Sequence, residues 1–453
     1  MQHSFDPKNY PLPNRTRELT DTVARLYTGW LETEDREPIY AVLGAYFANL
    51  MSSDPVWLMI VAPPASGKTE LLKVFDGMRK IYKVDHLTEG ALLSAFGLRA
   101  RPDGATGGLL KSIERDGGTG ILVFKDFSTL LELHKDTRGQ VLAALRRLHD
   151  GGYTKHTGMD GGVTFEWAGH VGVLAAATPQ IERYYSVMGS LGQRFLLLRL
   201  HAGAKSRKEQ AKSAIGNVGT EEEMRSRLRE ACAAMEWRIK VPDSPPLIPA
   251  YVVDRIAALA ALVATARSDV GRDGRSRIIT AVYEPEGPAR LAKQLSGFYQ
   301  GLKVVGLENK EAWEIVRRVG LDSIPDMRRR VLDPIMASEF HAQTTSDLRN
   351  TTGLPEKTLS RQLEELEALG ALLRNRGMGP ISDKWSLGDE VDEHTITVFE
   401  PFLALSPVEA ASQHGLPTPS EKSQEAASGE MDEEEKGFVI SRAHKPRDDP
   451  EDD

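Results

Sequence analysis

Apolar residues follow two rhythms along this chain. Between Val56 and about Leu200 they form short unbroken runs, VWLMIVA at 56–62, GILVFKD at 120–126, HVGVLAAATP at 170–179 and RFLLLRL at 194–200, separated by amphipathic stretches. Strands that read as continuous apolar runs are buried on both faces, so this alternation predicts an α/β fold: a parallel sheet between two helical layers, a three-layer αβα core. Upstream, the segments ELTDTVARLYTGWL and PIYAVLGAYFANLM carry apolar residues at helical spacing and predict two helices packed on the downstream core, after a Pro-rich, polar start. From 205 to 320 the spacing is again helical, interrupted by VPDSPPLIP at 241–249, and predicts an all-helical subdomain. A compact helical unit ending in a candidate hairpin is expected between Asp322 and Leu387. After Pro401, Ser, Pro, Glu and Asp dominate, which predicts disorder around one apolar island, GFVI at 437–440. No internal repeat of fixed period is visible. The expected organisation is an N-terminal helical adaptor at 1–55, a core at 56–204, a helical lid at 205–320, a helix-turn-helix unit at 321–392 and a tail at 393–453.

With 453 residues, 40% hydrophobic and 27% charged, the chain has material for two or three domains that each bury a core. The most apolar long stretch, AYVVDRIAALAALVATA at 250–266, carries Asp254 and Arg255, so neither a membrane span nor secretion is expected. Cys232 is the single cysteine, which excludes intramolecular disulfides, argues against a cysteine-based zinc cage and fits a reducing cytoplasm. The formal net charge of −8 is unevenly spread: from Ala404 onward 13 Asp and Glu face 5 Lys and Arg, which leaves the rest of the chain near neutrality. The tail alone therefore sets the acidic balance, and nucleic acid is not excluded as a partner.

The most informative chemistry is APPASGKT at 62–69, between the run VWLMIVA and the helix-like TELLKVFDGM. A strand followed by such a turn and a helix forms a phosphate-binding loop, in which backbone N–H groups surround phosphate oxygens, Lys68 adds a positive charge and Thr69 a hydroxyl for Mg²⁺. The expected nucleotide-binding set is Pro63, Pro64, Ala65, Ser66, Gly67, Lys68, Thr69 and Glu70. Ala62 stands where the first glycine of the GxxxxGK[ST] pattern belongs. Hydrolysis needs more: an acid near the metal, a polar group to orient water, and cations for developing charge. Asp126 closes the run ILVFK and Thr178 closes VGVLAAA, so both are expected at the C-terminal edge of the sheet beside the loop. Arg194 opens RFLLLRL and Arg290 opens the helix PARLAKQLSGFYQGL. Each has a plain alternative as a turn Asp, a capping Thr or a surface ion pair.

The succession APPASGKT, GGTGILVFKDFSTL, VLAALRRLHDGG, YTKHTGMDGGVTFEW, VLAAATP, LGQRF and PARLAKQL resembles the AAA+ P-loop ATPases that carry a pre-sensor-1 hairpin, the minichromosome-maintenance helicases among them. The resemblance spans about residues 56–305 and implies ATP and Mg²⁺ as cofactors. It assigns Lys68 and Thr69 to the phosphates and the metal, Asp126 to the Walker B acid, Thr178 to sensor 1, Arg194 to an arginine finger and Arg290 to sensor 2. An arginine finger completes a neighbouring subunit's site, so a ring-shaped homo-oligomer is implied. Two positions depart from the pattern: Thr178 stands where that group has Asn, and Lys125 replaces the metal-side acid of Asp-Glu-Phe in KDF at 125–127, leaving Asp126 alone.

Two segments are candidates for DNA contact. YTKHTGMDGGVTFEW at 153–167 has two alternating stretches around the turn cluster MDGG and reads as a β-hairpin with Lys155 and His156 on its first arm. In the resembling helicases a hairpin here lines the pore; a solvated hairpin that supports the sheet is the alternative. TTSDLRNTTGLPEKTLSRQLEELEALGALLRNRGMGPISDKWSL at 344–387 resembles a winged helix-turn-helix, with Lys357, Ser360 and Arg361 at the exposed start of the second helix and Arg374, Arg376 and Lys384 on the wing. Glu364, Glu365 and Glu367 on that helix oppose a duplex unless they point away, and docking of a protein partner is the alternative. The tail segment SGEMDEEEKGFVI suits a solubilising role, a dock for a basic protein groove, or a competitor of nucleic acid. Taken together, the expected function is an ATP-binding and ATP-hydrolysing motor or remodeller acting on DNA, of helicase or helicase-loader type. The rivals are a nucleotide-gated DNA-binding regulator with little turnover and a protein-directed scaffold.

Overall fold

The computed structural model describes residues 15–31, 33–92, 108–157, 163–184, 193–200, 207–377 and 382–402. Contacts group Met1–Glu400 as one unit and Pro401–Asp453 as a second, of which only Pro401 and Phe402 are among the described residues.

The first strand, β1 (Trp57–Val61), is followed by β2 (Ile81–Lys83) and β3 (Thr119–Phe124). A two-stranded antiparallel hairpin, β4 (Gly152–Thr157) and β5 (Val163–Ala168), precedes β6 (His170–Ala177) and β7 (Phe195–Arg199). Five of these form one parallel sheet in the order β2-β3-β6-β1-β7. The sheet's four expected apolar runs are all present; β2 is a short edge strand that the apolar pattern did not announce. Alternation along β1 explains the layering. Trp57, Met59 and Val61 join one buried cluster with the helix Lys135–His149 and with Phe124, Phe127 and Phe195, while Leu58 and Ile60, equally buried, point to the other face.

That other face is covered by the helix Glu37–Ala48, buried from Pro38 to Ala48, which follows the amphipathic helix Thr16–Leu31. Two predicted N-terminal helices therefore exist, and the second is part of the core rather than an appendage. It crosses the helix Ala289–Val304 so closely that a Cβ on Gly301 would lie 2.1 Å from the Gly44 carbonyl oxygen; only glycine permits this approach.

Beyond β7 come the helices Arg207–Gly216, Glu221–Arg238 and Ala250–Arg267, then Ala289–Val304, Asn309–Asp322 and Asp326–Met336. The expectation of an all-helical segment from 205 to 320 needs one correction: an antiparallel hairpin, β8 (Val270–Arg272) with β9 (Ile279–Val282), projects between the helices ending at Arg267 and starting at Ala289. Its strands are too short, and Asp273 to Arg277 too polar, to give a periodic signal. Next, β10 (Ala342–Thr344) leads into the helix Thr345–Thr352, closed by Gly353 at φ 62°, and the helix Glu356–Ala368. The strands β11 (Leu372–Asn375) and β12 (Lys384–Leu387) complete a three-stranded antiparallel sheet in the order β10-β12-β11. Both helices and the hairpin follow the expectation; β10 is an addition. The last helix, Asp389–Phe399, packs on Ala250–Arg267, so ordered chain continues past 392. No helix among the described residues is long and apolar enough to cross a membrane.

Candidate functional site

The loop after β1 is anchored where the Ala62 N–H donates to the Ala177 carbonyl of the neighbouring strand at 3.1 Å. Ala62 is not among the residues at positive φ, so the missing glycine of the motif imposes no strain there; the left-handed positions are Ala65 (φ 59°) and Gly67 (φ 83°). An alanine at such a φ costs on the order of 1 kcal/mol, a strain that the loop retains. Pro63 and Pro64 have no N–H, so of the expected set only Ala65, Ser66, Gly67, Lys68 and Thr69 offer amides ahead of the first helical bonds, in which Glu70 and Leu71 donate to the Gly67 carbonyl at 2.9 and 3.2 Å. The Pro63 carbonyl instead accepts from the Ser66 hydroxyl at 2.7 Å and from Lys68 Nζ at 3.3 Å.

Lys68 is 8% exposed. Burial pulls its ammonium below the usual lysine range, and the Asp126 charge partly opposes this, which places the acid within electrostatic reach of the lysine. Glu70, the last residue of the expected set, turns away: its carboxylate accepts from Arg225 at 3.0 and 3.1 Å and from Lys73 at 2.9 Å. Burial raises the Glu70 carboxyl, but these bonds outweigh it and hold it below the ordinary range. Arg225 also lies over the Trp30 ring, 5.8 Å from its centroid. Arg225 is a neighbour of the loop that sequence reasoning missed, since 155 positions separate it from Glu70.

Because β3, β6 and β1 are adjacent and parallel, the residues at their C-terminal ends meet on one edge. Asp126 lies there after β3, its Oδ1 accepting from the Ser128 N–H at 3.0 Å. Thr178 lies there after β6: its N–H donates to Ser128 Oγ at 3.2 Å and its hydroxyl is 3.4 Å from the same oxygen. The Phe127 N–H, bonded to the Ala176 carbonyl at 2.7 Å, fixes the two strand ends against each other. Ser128 is thus a further member of the site, with only its place two residues after Asp126 as a sequence signal. Asp85 and His86, beyond β2, line a shallow cleft together with Asp126 and Thr129. Among the described residues no group of three His, Cys, Asp or Glu side chains is arranged to hold a metal ion. The donor set at the loop, a carboxylate and a hydroxyl beside a row of amides, fits Mg²⁺ only as it is held together with phosphate oxygens.

The two arginines lie elsewhere. The register Trp57↔Phe195 and Val61↔Arg199 puts Arg194 at the opposite, N-terminal edge of the sheet. It is 4% exposed and its Nη2 reaches both Asp150 carboxylate oxygens at 2.8 Å, while its carbonyl accepts from Gln294 at 2.6 Å. Arg290 pairs with Glu286 at 2.8 Å and is near enough to His149, the neighbour of Asp150, for its charge to disfavour the imidazolium. Both arginines lie away from Lys68 of their own chain.

Of the DNA-contact candidates, Lys155 is 3.3 Å from Glu89 and His156 bonds Thr164 across the hairpin at 2.9 Å; the MDGG turn lies outside the described residues. Lys357, Ser360, Arg376 and Lys384 are exposed. Arg361 bonds Glu365 at 3.0 Å, and Arg374 bonds Asp383 at 2.7 Å while lying over Trp385. The carboxylates on the second helix divide. Glu365 is buried among Arg361, Arg328 and Arg272; burial raises its carboxyl, and these three cations hold it below its usual range. Glu364 accepts from Arg272 at 3.3 Å, and Glu367 faces solvent. The acidic tail from 403 lies outside the described residues.

No protein-family model matches this sequence, and no curated protein matches it. Among solved structures, one titled "The A form apo structure of NrS-1 C terminal region-CTR" aligns over 83% of this chain and 76% of its own, with 7% identity and a TM-score of 0.26.

Proposed function

We propose that this chain is an ATP-binding and ATP-hydrolysing AAA+ motor or remodeller acting on DNA, with the unit around β10, β11 and β12 serving as a winged helix. One observation carries the reading: the amides of Ala65–Thr69, Lys68, Asp126 and Thr178 share the C-terminal edge of a parallel sheet at β1, the strand from which the chain departs to β2 on one side and on whose other side β7 later pairs. Ligands of open α/β sheets bind at such a switch point, and an amide row beside an ammonium suits a triphosphate.

In this reading Lys68 and the loop amides hold phosphate oxygens, and Thr69 and Asp126 hold Mg²⁺, which when bound supplies charge neutralisation. Thr178 and Ser128 orient water, and Asp126 polarises it. Arg194 and Arg290, on the far edge, can meet a γ-phosphate only in a second copy of the chain, so they belong to this scheme only in a homo-oligomeric ring. Arg194 must first leave Asp150. Calorimetry with Mg·ATP is expected to give measurable heat for the wild type and none for folded Lys68→Ala; absence of heat for both removes the reading. Lys125 beside Asp126 favours a second reading, a nucleotide-gated DNA-binding regulator with little turnover. Steady-state ATPase with and without DNA separates them: stimulation supports the motor, and ATP-dependent DNA binding without turnover supports the switch.

A further inference from the structure

The hairpin β8–β9 is the element the proposed function leaves unused. Arg272 fastens it to the helix Glu356–Ala368, donating to Glu365 at 2.9 Å, to Glu364 at 3.3 Å and to the Arg361 carbonyl at 3.1 Å. The same guanidinium donates to the Arg277 carbonyl at 2.7 Å and so ties the hairpin's own turn to that helix. The turn is fixed further by Asp273, whose carboxylate accepts from the N–H groups of Arg275 and Ser276 at 3.0 and 2.6 Å and from the Ser276 hydroxyl at 2.8 Å. Asp273 is thereby engaged with its own loop, whereas Arg275 and Arg277 extend from it exposed. Ile278, next to Arg277, is 66% exposed.

Arg272 compensates two of the three carboxylates that oppose a duplex on this helix, so the helix can present Lys357 and Ser360 to an anion. The turn begins one residue after the anchor, which puts Arg275 within about 10 Å of it at strand rise. We propose that the β8–β9 hairpin and the helix Glu356–Ala368 form one composite surface for duplex DNA, on which Arg275 and Arg277 bind backbone phosphates beside the groove approached by Lys357 and Ser360. The inference rests on the DNA-binding reading of the proposed function. Phosphate is the matching partner because two exposed guanidiniums extend from a turn whose backbone Asp273 and Arg272 brace, and the guanidinium fork matches phosphate oxygens.

The test uses the full chain, fluorescently labelled duplex DNA and a salt titration, with Arg275→Gln/Arg277→Gln and Lys357→Ala as separate variants and Mg·ATP heat as the control for folding. Loss of two phosphate contacts is expected to lower the magnitude of the slope of log K against log salt by about 2, with several-fold weaker binding at moderate salt. Wild-type affinity and slope for the double variant, with Lys357→Ala weakened, overturn the hairpin's role and leave the DNA reading standing. Absence of binding by the wild type at low salt removes both, and would return this surface to a protein partner.

Discussion

Acidification from pH 7 to pH 5 tests the buried cluster at the N-terminal edge of the sheet. His149 is 7% exposed, lies edge-on to Trp57 with centroids 5.1 Å apart, and is bounded by Arg194, Asp150, Gln294 and Arg290. Burial, then the Arg194 charge, then the Arg290 charge disfavour the imidazolium; Asp150 opposes them, and the ring is pushed down from 6.5 to about 4. The unfolded ring takes up its proton near 6.5 and the folded ring only near 4, so between these values the unfolded state binds more protons and stability falls as pH falls. At 1.36 kcal/mol per unit the whole window is worth about 3 kcal/mol, of which about 2 is lost by pH 5. Asp150, held below 3.8, contributes in the same sense but only at lower pH, since its carboxylate loses its advantage below that value. Urea unfolding at pH 7 and pH 5, on the wild type and on His149→Gln, isolates the imidazole: the wild type is expected to lose about 2 kcal/mol more than the variant. Equal losses would refute the assignment of His149 as a buried neutral ring.

Three further outcomes are expected. Glu365→Ala leaves the buried Arg328 without its carboxylate and Arg272 with Glu364 alone, and should reduce stability by about 3 kcal/mol in denaturant unfolding; an unchanged unfolding midpoint would mean that the backbone carbonyls bound by Arg328 suffice. Gly172→Ala places a Cβ 2.3 Å from the Asn49 side chain, which bridges the Val56 N–H, the Val56 carbonyl and the Ala45 carbonyl, and is expected to cost about 1–3 kcal/mol; an unchanged melting temperature would show that Asn49 can move without loss. Arg225→Ala leaves Glu70 with Lys73 alone, so its carboxyl should titrate closer to its ordinary value and, under the proposed nucleotide-binding role, Mg·ATP affinity should fall through added negative charge near the loop. Unaltered affinity would separate that ion pair from nucleotide binding.

Local patterns announced most of the architecture. The continuous apolar runs predict four of the five parallel strands because burial on both faces demands them, and the helical unit ahead of β11 is legible because Gly353, Pro355 and Gly370 punctuate its helices at the required places. Lys68 and Thr69 were readable as candidates because the loop that carries them is contiguous in sequence. The hairpin at 270–282 was not, since three- and four-residue strands carry no period. The residues that depend on distant partners were equally hidden.

What the sequence by itself determined is therefore most of the longer elements and the one contiguous candidate loop, both of which arise from neighbours along the chain. The ends of the apolar runs already put Asp126 and Thr178 on the loop's edge; only the tertiary structure decided which other side chains meet them. Strand order and register joined Ser128 to Lys68, Asp126 and Thr178 and sent Arg194 to the opposite end, where the helix Ala289–Val304 brings Arg290 near His149. Packing turned Glu365 inward among three arginines. A charge in a sequence has no direction; the register of parallel strands and the burial of its partners give it one.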